Sequence, residues 1–154
     1  PVERVIALVH GGWRGTARGI VAATVEAMNE YAGCQPRNIY AGIGPAIGPC
    51  CYEVSEDVQQ LFSGQAQFET MPTNERYRNL INEAAVFSTL TLPDKRSLRL
   101  DLQATNRNQL LLAGVVPEHI ETMEICTSCN TERFFSHRKE QGKTGRFPVL
   151  MALS

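Results

Sequence analysis

Val5-Ile6-Ala7-Leu8-Val9-His10-Gly11-Gly12-Trp13-Arg14-Gly15 is the stretch from which the rest of the chain is read. Five consecutive apolar residues predict a buried strand over Val5–Val9. The glycines after it predict a turn into a helix, expected from about Thr16 to Tyr31. Ala17, Ile20, Val21, Thr24, Val25 and Met28 fall on one face of that helix at 3.6-residue spacing. A strand that ends on a histidine and turns into a helix puts that side chain at the carboxyl end of the strand, where open α/β sheets bind ligands. His10 can exchange a proton near neutral pH or ligate a metal through neutral imidazole. Gly11 and Gly12 allow close backbone approach, and Arg14 offers a permanent planar cation. A histidine satisfied by backbone, with Trp13 in the core, is the plain alternative.

Outward from there the chain continues to alternate strands and helices. Gly33 is placed to stop the first helix, and Asn38–Ile43 reads as a second strand. Two prolines and repeated glycines make 44–51 an irregular loop. Ser55 caps a short helix through Phe62, with Val58, Leu61 and Phe62 inward. Gln65–Asn79 is polar and reads as a loop, and Leu80–Leu92 fits helix or strand equally. Leu98–Leu102 alternates like a strand. Asp101 can also cap a helix reaching about Ala113, with Gly114 as its stop. Ile120–Ile125 and Phe147–Leu153 read as strands, separated by a loop from Cys126 to Arg146. The expected class is α+β, a mixed-sheet α/β sandwich, with functional residues on loops at strand ends.

At 154 residues the chain reads as a single domain, 1–154. Its net charge of -1 provides no global field for nucleic acid or an anionic membrane. No apolar run approaches the length of a membrane span. A start at Pro1, a few residues before an apolar run, is expected of the carboxyl part of a longer protein or of a processed one. Five cysteines without a secretory signal argue against a disulfide framework and for a reducing, cytoplasmic setting.

Other clusters carry potential chemistry. Cys126-Thr127-Ser128-Cys129 reads first as two loop thiols. The alternatives are a redox pair or half of a four-cysteine zinc site completed by Cys50 and Cys51, against which adjacency stands. Gly42–Gly48 has a superficial likeness to a dinucleotide loop, but the spacing is wrong and Pro45 lacks an amide donor. It is read as the wall of a pocket. Phe134-Phe135-Ser136-His137-Arg138-Lys139 and Thr144-Gly145-Arg146 set cations beside aromatics, suited to an anion or a nucleobase. Glu53 and Asp101 are the nearest carboxylates, able to orient a histidine or arginine.

Five segments together resemble the YfiH family, also known as the multicopper polyphenol oxidoreductase (laccase-type) or purine nucleoside phosphorylase family. They are His10–Gly15, Gly44–Val54, Asp101–Arg107, Cys126–Cys129 and Phe134–Arg138 with Thr144–Arg146. Gly11 stands where alanine is usual, His137 where tyrosine is usual, and Lys139 replaces an arginine. The resemblance implies a mixed α/β sandwich similar to the catalytic domain of cytotoxic necrotizing factor toxins. It implies a zinc site of two histidines and one cysteine, with copper as the alternative metal. His10 maps onto one ligand, and the other two would precede Pro1. The implied activity is on purine nucleosides: phosphorolysis of adenosine, inosine or methylthioadenosine, and adenosine deamination.

The candidate catalytic residues are therefore His10 and Arg14. Trp13, Phe135, Arg138 and Arg146 are the candidate substrate contacts, for a purine nucleoside and phosphate. Laccase-like copper oxidation of phenols is an alternative, although three histidines are few for a multicopper cluster. A cysteine hydrolase using Cys50 or Cys51 with His10 or His137 is another. The third is a non-catalytic interaction domain stabilised by thiols or zinc.

Overall fold

The computed structural model describes residues 3–65 and 74–153. Its elements are α1 (Trp13–Thr16), α2 (Ile20–Ala32), β1 (Ala41–Ile43), α3 (Glu56–Phe62), α4 (Arg78–Ala84), β2 (Phe87–Leu92), β3 (Lys95–Leu100), α5 (Leu102–Leu112) and β4 (Ile120–Thr122). The class is α+β, as expected. Two small sheets carry opposite pairing: β1 runs parallel to β4, and β2 with β3 forms an antiparallel hairpin. Parallel strands need a long crossover, and here everything from α3 to α5 lies within it.

Beyond β1 and β4 the parallel pairing resumes at Ala46 and Cys126. Ala41 faces Ile120, an offset of 79, whereas Ala46 faces Cys126, an offset of 80. One extra residue is thus taken up after β4, where Glu124 adopts φ 35°. The Thr127 N–H donates to the Ala46 carbonyl at 2.9 Å. Two loops far apart in sequence are thereby tied side by side.

Helix α5 sits between two apolar clusters. Ala17, Tyr52, Val58, Leu61, Phe62, Ile81, Leu100 and Leu102 form one. Val25, Cys34, Ile39, Leu110, Val115 and Ile120 form the other, where Cys34 is simply a buried apolar side chain. The Asp101 carboxylate accepts the Ala104 N–H at 2.9 Å and caps α5. Gly114, at φ 93°, follows the helix end.

Several local readings change. Val5–Val9 is extended, with alternating exposure, but enters no ladder with any described residue. Phe147–Leu153 is also irregular, with Leu150 90% exposed. An apolar run becomes a strand only where a neighbour completes its hydrogen bonds. The helix expected over 16–31 is broken at Gly19, whose φ of 72° only glycine adopts freely. A Cβ there would also lie 2.8 Å from Tyr77 Cβ. The second strand shortens to Ala41–Ile43, because Pro36–Asn38 forms a 3-10 turn. The ambiguous 80–92 segment divides into the end of α4 and all of β2. β3 ends at Leu100 so that Asp101 can cap, and β4 stops at Thr122. Ser55 holds the N-cap position of α3 with no side-chain bond. Of the polar loop at 65–79, residues 66–73 lie outside the described residues, and a 3-10 turn begins at Glu75.

Candidate functional site

The His10–Thr16 loop is held from below by buried amides. Thr16 is fully buried, and its hydroxyl donates to Asn106 Oδ1 at 2.9 Å. The Asn106 Nδ2 donates to the Gly11 carbonyl at 3.2 Å, and Gln109 Nε2 to the Thr16 carbonyl at 2.8 Å. Gln103 Nε2 reaches the Gly44 carbonyl at 2.9 Å. Three amide side chains at i, i+3 and i+6 on α5 thus hold the backbone of both glycine-rich loops. Each amide nitrogen finds a backbone acceptor, which offsets the cost of burial, while Gln109 Oε1 has no partner among the described residues. The signal was present as three amides on one stripe of a helix, but a polar stripe reads by default as solvent-facing.

His10 itself is exposed. Its imidazole lies over Gly12: a Cβ on Gly12 would stand 2.8 Å from His10 Nε2. Arg14 is exposed, with its guanidinium 4.5 Å from the Trp13 ring centroid. Trp13 packs against the first apolar cluster and also lines a cleft of about 470 Å³ with Tyr52, Glu53, Val54, Ser55, Val58 and Arg138. Arg138 donates to the Glu53 carbonyl at 2.7 Å and lies 5.3 Å from the Tyr52 ring centroid. Burial raises the pKa of the Tyr52 phenol, against the opposing pull of Arg138 and Arg14. At neutral pH Tyr52 therefore keeps its proton and can donate it in a hydrogen bond.

The structure brings Trp13 and Arg138 together at one cleft and adds Tyr52, which the sequence reading had not singled out. Phe135 and Arg146 lie outside the cleft lining. The Phe135 ring covers Gly145, where a Cβ would come within 2.7 Å of it. The Glu53 carboxylate orients no histidine. It meets Lys95 Nζ at 3.2 Å and Arg99 at 3.9 Å, and Lys95, then Ser97, hold its pKa low. Asp101 is spent on capping.

The four cysteines of the two loops converge. The Sγ atoms of Cys50, Cys51, Cys126 and Cys129 all lie within 4.8 Å of one another. Cys129 stands 3.6 Å from Cys50 and 3.4 Å from Cys51. This corrects the reading of Cys126 and Cys129 as separate loop thiols. Adjacency proves no obstacle, because Cys50 and Cys51 lie in a turn, closed by Cys51 and Tyr52 N–H bonds to the Gly48 carbonyl at 3.0 Å. Burial pushes the Cys126 thiol up, but the Gly48 N–H, at 3.2 Å from its sulfur, and further donors bring it down to about 7. Cys50 moves the other way, to about 12, through burial and then through sharing its proton with Cys126. The four cysteines can hold a metal ion. Among the described residues they are the single group of three or more potential ligands, and His10 belongs to no such group.

The sequence matches, over residues 1–154, the family described as multi-copper polyphenol oxidoreductase laccase. The chain belongs to that family. It is 40% identical over 147 residues to the purine nucleoside phosphorylase YlmD of Geobacillus stearothermophilus, covering 95% of this chain and 47% of YlmD. It is 32% identical over 142 residues to the adenosine deaminase RL5 of an unknown prokaryotic organism, covering 92% of this chain and 48% of RL5. The crystal structure of YfiH from Bacillus licheniformis superposes with a TM-score of 0.67 at 37% identity, over 87% of this chain and 44% of YfiH. The mixed α+β fold is thus shared within the family, and the chain spans about half the length of the curated relatives it matches. Among the described residues no helix is long and apolar enough to cross a membrane.

Proposed function

We propose that this chain forms the carboxyl part of a cytoplasmic purine nucleoside enzyme acting by phosphorolysis, by adenosine deamination, or both. The observation that carries the reading is the cleft that joins Trp13, Tyr52 and Arg138, in a chain whose relatives are named for these activities. Its volume of about 470 Å³ is in the range of small-molecule sites. An indole and a phenol give an apolar wall for a purine, while Arg14 and Arg138 supply the cations that phosphate requires. Phe135 and Arg146, on the same loop as Arg138, are further substrate contacts in this proposal.

In phosphorolysis a phosphate oxygen forms a bond to the ribose anomeric carbon as the bond from that carbon to the purine nitrogen breaks. The electron pair leaves with the purine, which takes up a proton. Arg14 and Arg138 hold the phosphate, and neutral Tyr52 offers a hydrogen bond to the base. In deamination water adds at the purine amino-bearing carbon and ammonia leaves.

In this proposal the ion is zinc, with copper as the alternative, and His10 is the ligand from this chain. Zinc supplies Lewis-acid activation of a nucleophile near neutral pH. His10 presents one donor, and among the described residues it belongs to no group of three or more His, Cys, Asp or Glu ligands. The described residues by themselves do not compose that site.

The test is turnover of adenosine and inosine by the full-length protein, with and without phosphate. His10→Ala is expected to abolish it, and Arg138→Ala to raise KM for phosphate at least tenfold. Undiminished turnover in both variants overturns the proposal.

A further inference from the structure

From the convergence of Cys50, Cys51, Cys126 and Cys129 we infer a second metal site: a structural tetrathiolate centre for zinc, separate from His10, that fastens the 48–51 turn to the 126–129 turn.

The argument is geometric. Zinc bound by four thiolates at about 2.3 Å places the sulfurs about 3.8 Å apart at tetrahedral angles. The Cys129 contacts at 3.4 and 3.6 Å, and an outer limit of 4.8 Å for every pair, bracket that spacing. A disulfide would use two of the four and needs about 2.05 Å between sulfurs. All five cysteines here are free. Four sulfur donors in this arrangement select zinc or iron over hard cations and over square-planar copper(II).

The surroundings suit an anionic centre. The Gly48 N–H points at Cys126 Sγ from 3.2 Å, and Arg99 donates to the Cys50 carbonyl at 2.8 Å. Gly48 is buried, and a Cβ there would stand 3.1 Å from Cys126 Cβ and 3.5 Å from Cys50 Sγ. A side chain there would press on two of the four ligands, and Cys126 would have to give by a few tenths of an ångström. Asn130 Nδ2 accepts no role in coordination but closes the second turn by donating to the Cys126 carbonyl at 2.8 Å. The parallel bridge between Ala46 and Cys126 brings the two turns into range. As the ion binds, each sulfur still carrying a proton releases it to solvent. Cys51 is followed directly by Tyr52 and Glu53, so the centre also fixes one wall of the nucleoside cleft.

The experiment uses full-length protein carrying His10→Ala, which removes one of the three ligands of the other proposed site and so weakens metal binding there. The reduced protein is stripped with a chelator and titrated with zinc, then with cobalt(II). One equivalent of zinc is expected to bind and to protect four thiols from alkylation. Cobalt(II) is expected to show intense sulfur-to-metal charge transfer. In the Cys126→Ser, Cys129→Ser protein both signals should disappear. Cys51→Ser provides the milder variant, expected to keep its circular dichroism and bind zinc at least tenfold more weakly. The inference is overturned if the His10→Ala protein binds no zinc under reductant, if zinc leaves alkylation unchanged, or if the reduced protein takes up iron in preference to zinc. Turnover plays no part in this readout, so it fails independently of the nucleoside proposal.

Discussion

The His10 loop and the four-cysteine cluster are opposites in construction. The first is contiguous in sequence, and α5 fixes its backbone through Asn106 and Gln109. It nevertheless offers one potential ligand. The second is assembled from two loops whose members lie as much as 79 residues apart, yet it offers four. A conspicuous motif therefore reports how a loop is held, while ligand number depends on which strands pair. Here β1 and β4 decide the second question.

Removing metal from the full-length protein should separate the regions most widely. An ion at a thousandfold excess over its dissociation constant adds about 4 kcal/mol, or about 8–16 °C in Tm for a domain of this size. Chelation of the reduced protein is expected to lower Tm by at least that amount, and most of the loss should persist in His10→Ala and disappear in Cys126→Ser, Cys129→Ser. Calorimetry checks it, and equal sensitivity of all three proteins would erase the contrast.

Asn106→Ala strikes the other region. It removes the Asn106 bonds to the Thr16 hydroxyl and the Gly11 carbonyl, which keep each other as partners at 3.2 Å, and about 1 kcal/mol is expected for the lost amide bonds. Urea unfolding should show that loss with zinc content unchanged. Asp101→Ala removes only the cap of α5, and about 1 kcal/mol is expected in the same assay. A larger loss from Asp101 than from Asn106 would mean that α5 supports the loop through its own stability and not through its amides.

The smallest effect concerns Glu53, between the two regions. Because Lys95 and Ser97 hold its pKa low, its pairing strengthens the fold above the ordinary glutamate range and fades as pH falls through the depressed folded value. Carboxyl NMR titration should place Glu53 below the ordinary glutamate value, and Lys95→Ala should return it toward that value.

What the sequence disclosed follows the range of each interaction. Asp101, Gly33, Gly114 and the inward face of Val58, Leu61 and Phe62 act within a few residues, and each is found as read. The family resemblance was equally legible, because its five segments occur in order along the chain. Val5–Val9 and Phe147–Leu153 were misread because strand formation is a property of pairs. The cysteine cluster was undervalued because adjacency was judged without the Gly48–Tyr52 turn that aims both sulfurs at Cys129. Tyr52 was overlooked because nothing local distinguishes a core tyrosine from one beside two arginines.

The two apolar stretches outside any ladder have a practical consequence. Ile6 and Leu8 at one, and Val149, Leu150 and Met151 at the other, leave large aliphatic surface exposed on backbone that joins no ladder among the described residues. Such borders recruit whatever strand drifts past. Produced by itself, the polypeptide of these 154 residues is expected to sediment at high concentration, and a lysine in place of Leu8 or Leu150 is the gentlest way to keep it in solution.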